Sequence, residues 1–75
     1  MTNLTKSQAK AINASRTMSW LRAEQRLGRE VVAGKNIDVD ALGNTQLQVR
    51  TETAAYDWIV TPRGRIVAED RTEIK

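Results

Sequence analysis

The clearest structural signal in this chain is the segment Tyr56-Asp-Trp-Ile-Val-Thr-Pro-Arg-Gly-Arg-Ile-Val-Ala-Glu69. Two short segments rich in apolar and β-branched residues flank the tetrapeptide Thr61-Pro62-Arg63-Gly64. Proline presets the backbone at the second position of a β-turn, and glycine adopts the left-handed conformation that follows a type I turn. The stretch therefore predicts an antiparallel hairpin, with Tyr56, Trp58 and Val60 on one face of its first strand.

A third strand precedes the hairpin. In Gln46-Leu-Gln-Val-Arg-Thr-Glu52 the polarity alternates, which is typical of a strand with one buried face. We therefore expect a three-stranded antiparallel meander over 46–70 and a frayed tail over 71–75. Residues 28–45 are interpreted as a connector, within which Ile37–Asp40 is compatible with a short edge strand.

The N-terminal third is typical of a helix. Thr5 and Gln8 fit a capping box, and no proline or glycine follows until Gly28. We predict one helix from about Thr5 to about Leu27, packed on the sheet in the order α-β-β-β. The fold class is then α+β, with two layers in one small domain over 1–75.

Two apolar seams run along the predicted helix and lie on separate faces. One consists of Ala11, Ala14, Met18 and Leu21, and the other of Ala9, Ile12, Trp20, Ala23 and Leu27. Either both seams border one wide core stripe, or one of them is a contact face for a partner or a second copy. In the second case Met18 and Leu21 are the candidate contact residues. Independently of the seams, we expect the sheet face that carries Tyr56 and Trp58 to pack against the helix, with Trp20 among the contacts; if that face points outward instead, it is a stacking or binding surface.

The charge is unevenly distributed along the chain, whose formal net charge is +3. Residues 1–35 carry seven basic and two acidic side chains, whereas residues 36–75 carry five basic and seven acidic ones. The basic front half is therefore a candidate for contact with an acidic surface.

Five arginines are the candidate contact residues within this pattern. Arg22, Arg26 and Arg29 are spaced to share one helical face, and Arg63 and Arg65 flank the predicted turn. Guanidinium groups donate hydrogen bonds to carboxylates and phosphates in a planar fork. These arginines favour an acidic protein surface or a nucleic-acid backbone as partner. Alternatively, the helical arginines form a solvated face that binds no partner.

The sequence lacks the residues that most catalytic and metal sites need. It contains no His and no Cys, which excludes His- and Cys-dependent nucleophiles and the usual zinc ligands. Asp38-Val-Asp40 fits an acidic edge strand better than a magnesium site. We therefore expect a protein that is not an enzyme and uses neither cofactor nor metal.

The sequence carries no targeting pattern. It has no signal-peptide pattern at its start and no apolar run long enough to span a bilayer, so we expect a cytoplasmic protein without membrane contact.

These features favour a protein that acts by binding. In its size and its lack of motifs the chain is similar to many small phage- or plasmid-encoded proteins that disable a host machine, anti-CRISPR proteins among them. The resemblance implies a protein–protein inhibitor or regulator, with a homodimer as an open alternative. A nucleic-acid-binding accessory protein and a structural component of a larger assembly are two further hypotheses.

Overall fold

The computed structural model describes residues 4–74 and has two short helices on one face of a four-stranded antiparallel sheet. The elements are α1 (Lys6–Asn13), α2 (Arg16–Arg26), β1 (Val31–Asp38), β2 (Thr45–Thr51), β3 (Ala54–Val60) and β4 (Ile66–Glu73). The strands form a meander in the order β1-β2-β3-β4. The α+β class is confirmed, but the chain has one helix and one strand more than predicted. Neither helix is long and apolar enough to cross a membrane.

The predicted single helix is interrupted at Ser15. This residue has extended torsion angles, φ −76° and ψ 155°, and its Oγ accepts the amide hydrogen of Met18 at 3.2 Å. The same hydroxyl donates to the carbonyl oxygen of Ile12 at 2.6 Å. A serine that offers the backbone these bonds ends one helix and caps the next, so the prediction of one continuous helix was wrong. The predicted capping box is confirmed, because Thr5 and Gln8 form both of its hydrogen bonds.

The segment that we interpreted as a connector contains a complete strand. β1 pairs with β2 from Val31 opposite Thr51 to Asp38 opposite Thr45. It is an edge strand with exposed residues on both faces, so its sequence lacks the alternation that marks a half-buried strand. The predicted connector over 28–45 was therefore wrong over Val31–Asp38, while the edge strand that we considered at Ile37–Asp40 is present but begins earlier and ends at Asp38.

The predicted hairpin is confirmed. The Gly64 amide donates to the Thr61 carbonyl at 2.9 Å, and Gly64 has a φ of +88°. A Cβ atom at Gly64 would lie 2.6 Å from the carbonyl oxygen of Ser7, so the turn packs directly against the start of α1. β4 continues to Glu73, so residues 71–73 are not the frayed tail that we expected, and residue 75 lies outside the described part of the chain.

The core lies between the helices and the inner face of the sheet. Its buried side chains are Ile12, Leu21, Ala54, Tyr56, Trp58 and Val60. The prediction that Tyr56, Trp58 and Val60 share one face is thus confirmed. Trp20 is 45% exposed and lies outside this core, which contradicts the packing that we predicted for it.

Candidate protein-binding surface

Glu24 is a buried carboxylate that connects α2 with the sheet. Glu24 is 5% exposed, and its carboxylate accepts hydrogen bonds from the hydroxyls of Tyr56 and Thr53. The guanidinium groups of Arg29 and Arg71 lie 3.5 and 3.7 Å from its Oε1 atom. Burial of a carboxylate is tolerated only when its charge and lone pairs are satisfied, and these four partners do so.

Arg71 is held in place by several contacts. Its Nε donates to the Tyr56 hydroxyl at 3.2 Å, and its guanidinium carbon lies 5.8 Å from the centroid of the Tyr56 ring. It also forms an ion pair with Glu73 at 3.5 Å. The side chain is therefore fixed beside α2 while 26% of it remains exposed.

A groove of about 480 Å³ adjoins this network. We call it the Trp20 groove, and its lining residues are Trp20, Ala23, Glu24 and Arg71. Leu27, one helical turn beyond Ala23, is 73% exposed and extends the apolar surface. A large aromatic side chain that stays exposed on a rigid element is a typical anchor of protein–protein interfaces, because it gains much contact area at little entropy cost.

The exposed charges on the two helices all have the same sign. They belong to Lys6, Lys10, Arg16, Arg22 and Arg26. The only carboxylate between residues 4 and 27 is that of Glu24, which is buried in ion pairs. The exposed helical surface beside the Trp20 groove is therefore positive, while the strand side of the groove carries Glu73, whose exposed carboxylate pairs with Arg71.

The structure does not bring the five predicted arginines together. Arg22 and Arg26 are exposed on α2, but Arg29 follows the helix and turns back to the buried carboxylate. Arg63 and Arg65 are exposed at the hairpin tip, at the opposite end of β3. A strand of this length spans about 20 Å, so Arg63 and Arg65 do not extend the basic surface of Arg22 and Arg26.

The apolar seams also differ from their predicted roles. Leu21 is 4% exposed in the core and Met18 packs against that core, so neither presents its side chain to a partner. The seam that remains exposed carries Trp20, Ala23 and Leu27, because the interruption at Ser15 changes the register between the helices. The sequence signal that we missed is Ser15 itself, a residue type that favours helix starts.

Of the two carboxylates that we considered as a metal site, that of Asp40 stabilises a turn. Asp40 accepts hydrogen bonds from the backbone amides of Leu42 and Asn44, at 2.9 and 3.3 Å, and from the Asn44 side chain at 2.9 Å. These bonds stabilise the turn between β1 and β2, as aspartate does in many turns.

Comparison with known protein families, curated proteins and solved structures gave no match to this chain.

Proposed function

We propose that this chain is a non-catalytic protein-binding module that inhibits or regulates its partner, and that it binds through the Trp20 groove. The observation that carries the proposal is the exposed indole of Trp20 beside Arg71. Exposed tryptophan and arginine side chains are the residues that most often dominate binding energy in protein interfaces.

The chemistry of the groove indicates the kind of partner. An apolar side chain of the partner contacts Trp20 and Ala23, and carboxylates beside it face the exposed cation of Arg16, one helical turn before Trp20. No exposed carboxylate between residues 4 and 27 opposes such a segment, and the exposed carboxylate of Glu73 on the strand side is paired with Arg71. We therefore expect a short acidic segment with one large apolar residue.

The groove is formed before the partner binds. Its floor consists of Glu24 and Arg71, whose positions are fixed by hydrogen bonds to Tyr56. Because these side chains are already ordered, binding loses little conformational entropy at this surface.

The tagged chain and its Trp20→Ala variant are each used to capture proteins from a nuclease-treated lysate. The affinity of each for the captured protein is then measured by titration. We expect Trp20→Ala to weaken binding by about 30-fold, the effect of losing a hot-spot residue. Leu42→Ala is the matched control, because Leu42 is 80% exposed in the turn between β1 and β2. Equal binding by the wild type and Trp20→Ala contradicts the proposal.

Nucleic-acid binding is the second candidate, and the five exposed cations of the helices favour it. In that case Arg22→Ala and Arg26→Ala each reduce the slope of log affinity against log salt by about one. A partner that binds through an apolar anchor keeps most of its affinity when salt is raised. We favour the protein partner because Trp20, Ala23 and Leu27 interrupt the row of cations along α2.

A further inference from the structure

The outer face of the sheet, opposite the helices, has no second layer over it in the described residues 4–74. Its side chains form rows across the four strands, and the middle row consists of Lys35, Gln48, Asp57 and Asp70. The rows on either side are mostly small or apolar. The open face of such an antiparallel sheet is either solvated or covered by a second layer, and its charges indicate which.

The charges of this face are separated by strand. The cations lie on the first two strands, as Lys35 on β1 and Arg50 on β2, whereas the anions lie on the last two, as Asp57 on β3 and Asp70 on β4. One half of the face is therefore positive and the other half negative. Such a surface is complementary to itself, which is the property that a two-fold interface between identical subunits requires.

Two symmetric ways of stacking this face on a second copy differ in their charge contacts. If the two-fold axis runs across the strands, β1 lies over β1 and each middle-row charge meets its own copy. If the axis runs parallel to the strands, β1 lies over β4, so that Lys35 faces Asp70 and Gln48 faces Asp57 of the second copy. Like charges in an interface are strongly unfavourable, so the second arrangement is selected.

The shape of the face agrees with this arrangement. A depression of about 390 Å³ lies over the small residues Ala33 and Ala55. With the axis parallel to the strands, Arg50 of one copy lies over Ala55 of the other, where that depression receives its long side chain. Asp57, which already accepts a hydrogen bond from Gln46 at 3.4 Å, gains the Gln48 amide of the second copy as a further donor.

We infer that this chain forms a two-fold dimer by stacking the outer faces of two sheets, with Lys35 of each copy paired to Asp70 of the other. Four strands and three rows cover roughly 19 by 20 Å, which is a small area for a stable interface. We therefore expect reversible dimerisation in the micromolar range. The inference is independent of the Trp20 groove, which lies on the other side of the sheet.

The test is sedimentation equilibrium of the full chain and three variants from 5 μM to 1 mM, roughly the range of weak interfaces. Lys35→Asp and Asp70→Lys are each expected to raise the dissociation constant by about tenfold or more. The double variant restores an opposite-charge pair and is expected to return it to within about threefold of the wild type. Circular dichroism confirms that each variant is folded.

Lys10→Asp and Asp38→Lys are the matched controls, because they make the same charge reversals at exposed positions on α1 and on the opposite side of β1, where Asp38 pairs with the buried Thr45. They leave the dissociation constant unchanged if the inference is correct. A monomer at all concentrations overturns it. A dimer that the double variant does not restore also overturns it, since that result indicates another contact such as the exposed edge of β1.

Discussion

The Tyr56 hydroxyl donates its hydrogen to the buried carboxylate of Glu24, across the boundary between the sheet and α2. This bond belongs to a network in which one carboxylate binds two hydroxyls and two guanidinium groups. The contacts come from α2, the segment after it, the turn between β2 and β3, and the last two strands. The network therefore holds together parts of the chain that are far apart in sequence.

Glu24→Gln is expected to lower the free energy of unfolding by about 3 kcal/mol. The substitution removes the charge that Arg29 and Arg71 face and leaves a buried site with fewer acceptors. Urea denaturation followed by circular dichroism measures the change. Glu30→Gln, at an exposed position, is the control and should stay within about 0.5 kcal/mol of the wild type. Equal effects of the two substitutions would show that the network contributes little.

Gly64→Ala is expected to destabilise the protein by about 2 kcal/mol more than Gly28→Ala. Both glycines have nearly the same positive φ, +88° and +87°, so both substitutions carry the same backbone strain. Of these two positions, an added Cβ meets another segment at Gly64, where it contacts the backbone of Ser7, whereas nothing lies within 4 Å at Gly28. Thermal unfolding of the two variants isolates the contact between the hairpin and α1, and identical melting temperatures would contradict it.

Ser15→Ala is expected to cost about 2 kcal/mol of stability. The hydroxyl caps α2 and also accepts the indole hydrogen of Trp58 at 2.9 Å, so the substitution removes a helix cap and leaves a buried donor unpaired. Ser19→Ala is the control, because the Ser19 hydroxyl bonds only the carbonyl of Arg16 in its own helix, at an exposed site. Chemical denaturation of both variants makes the comparison, and a loss of stability in Ser19→Ala as large as that in Ser15→Ala argues against the capping role.

The two tryptophans are expected to differ in fluorescence. Trp58 is 0% exposed and Trp20 is 45% exposed. In Trp20→Phe the remaining emission should be blue-shifted and resist quenching by acrylamide, whereas in Trp58→Phe it should be red-shifted and readily quenched. Similar quenching constants in the two variants contradict the placement of Trp20 outside the core.

Local sequence signals predicted the parts of the fold that depend on local chemistry. The capping box of Thr5 and Gln8 and the turn that ends at Gly64 each depend on a few adjacent residues, and both were predicted correctly. The shared face of Tyr56 and Trp58 follows from the two-residue period of a strand.

Features that depend on tertiary context were missed. Ser15 interrupts the helix because its hydroxyl also bonds the Trp58 indole and the Ile12 carbonyl. The residues around it favour a helix, so the interruption is not evident from the local sequence. β1 is exposed on both faces, so only its pairing with β2 defines it. The burial of Glu24 depends on Arg71, a residue far along the chain that we expected in a frayed tail.

Both helices lie on the same face of the sheet, and this placement determines how many partner molecules a stacked pair could bind at once. Two copies stacked through their outer faces present their Trp20 grooves in opposite directions. The pair is then unable to engage two sites on one flat target at once, so it gains no avidity from such a target. If both proposals hold, the pair would instead bridge two separate partner molecules, and a target that is itself multivalent would be cross-linked into larger assemblies by this small protein.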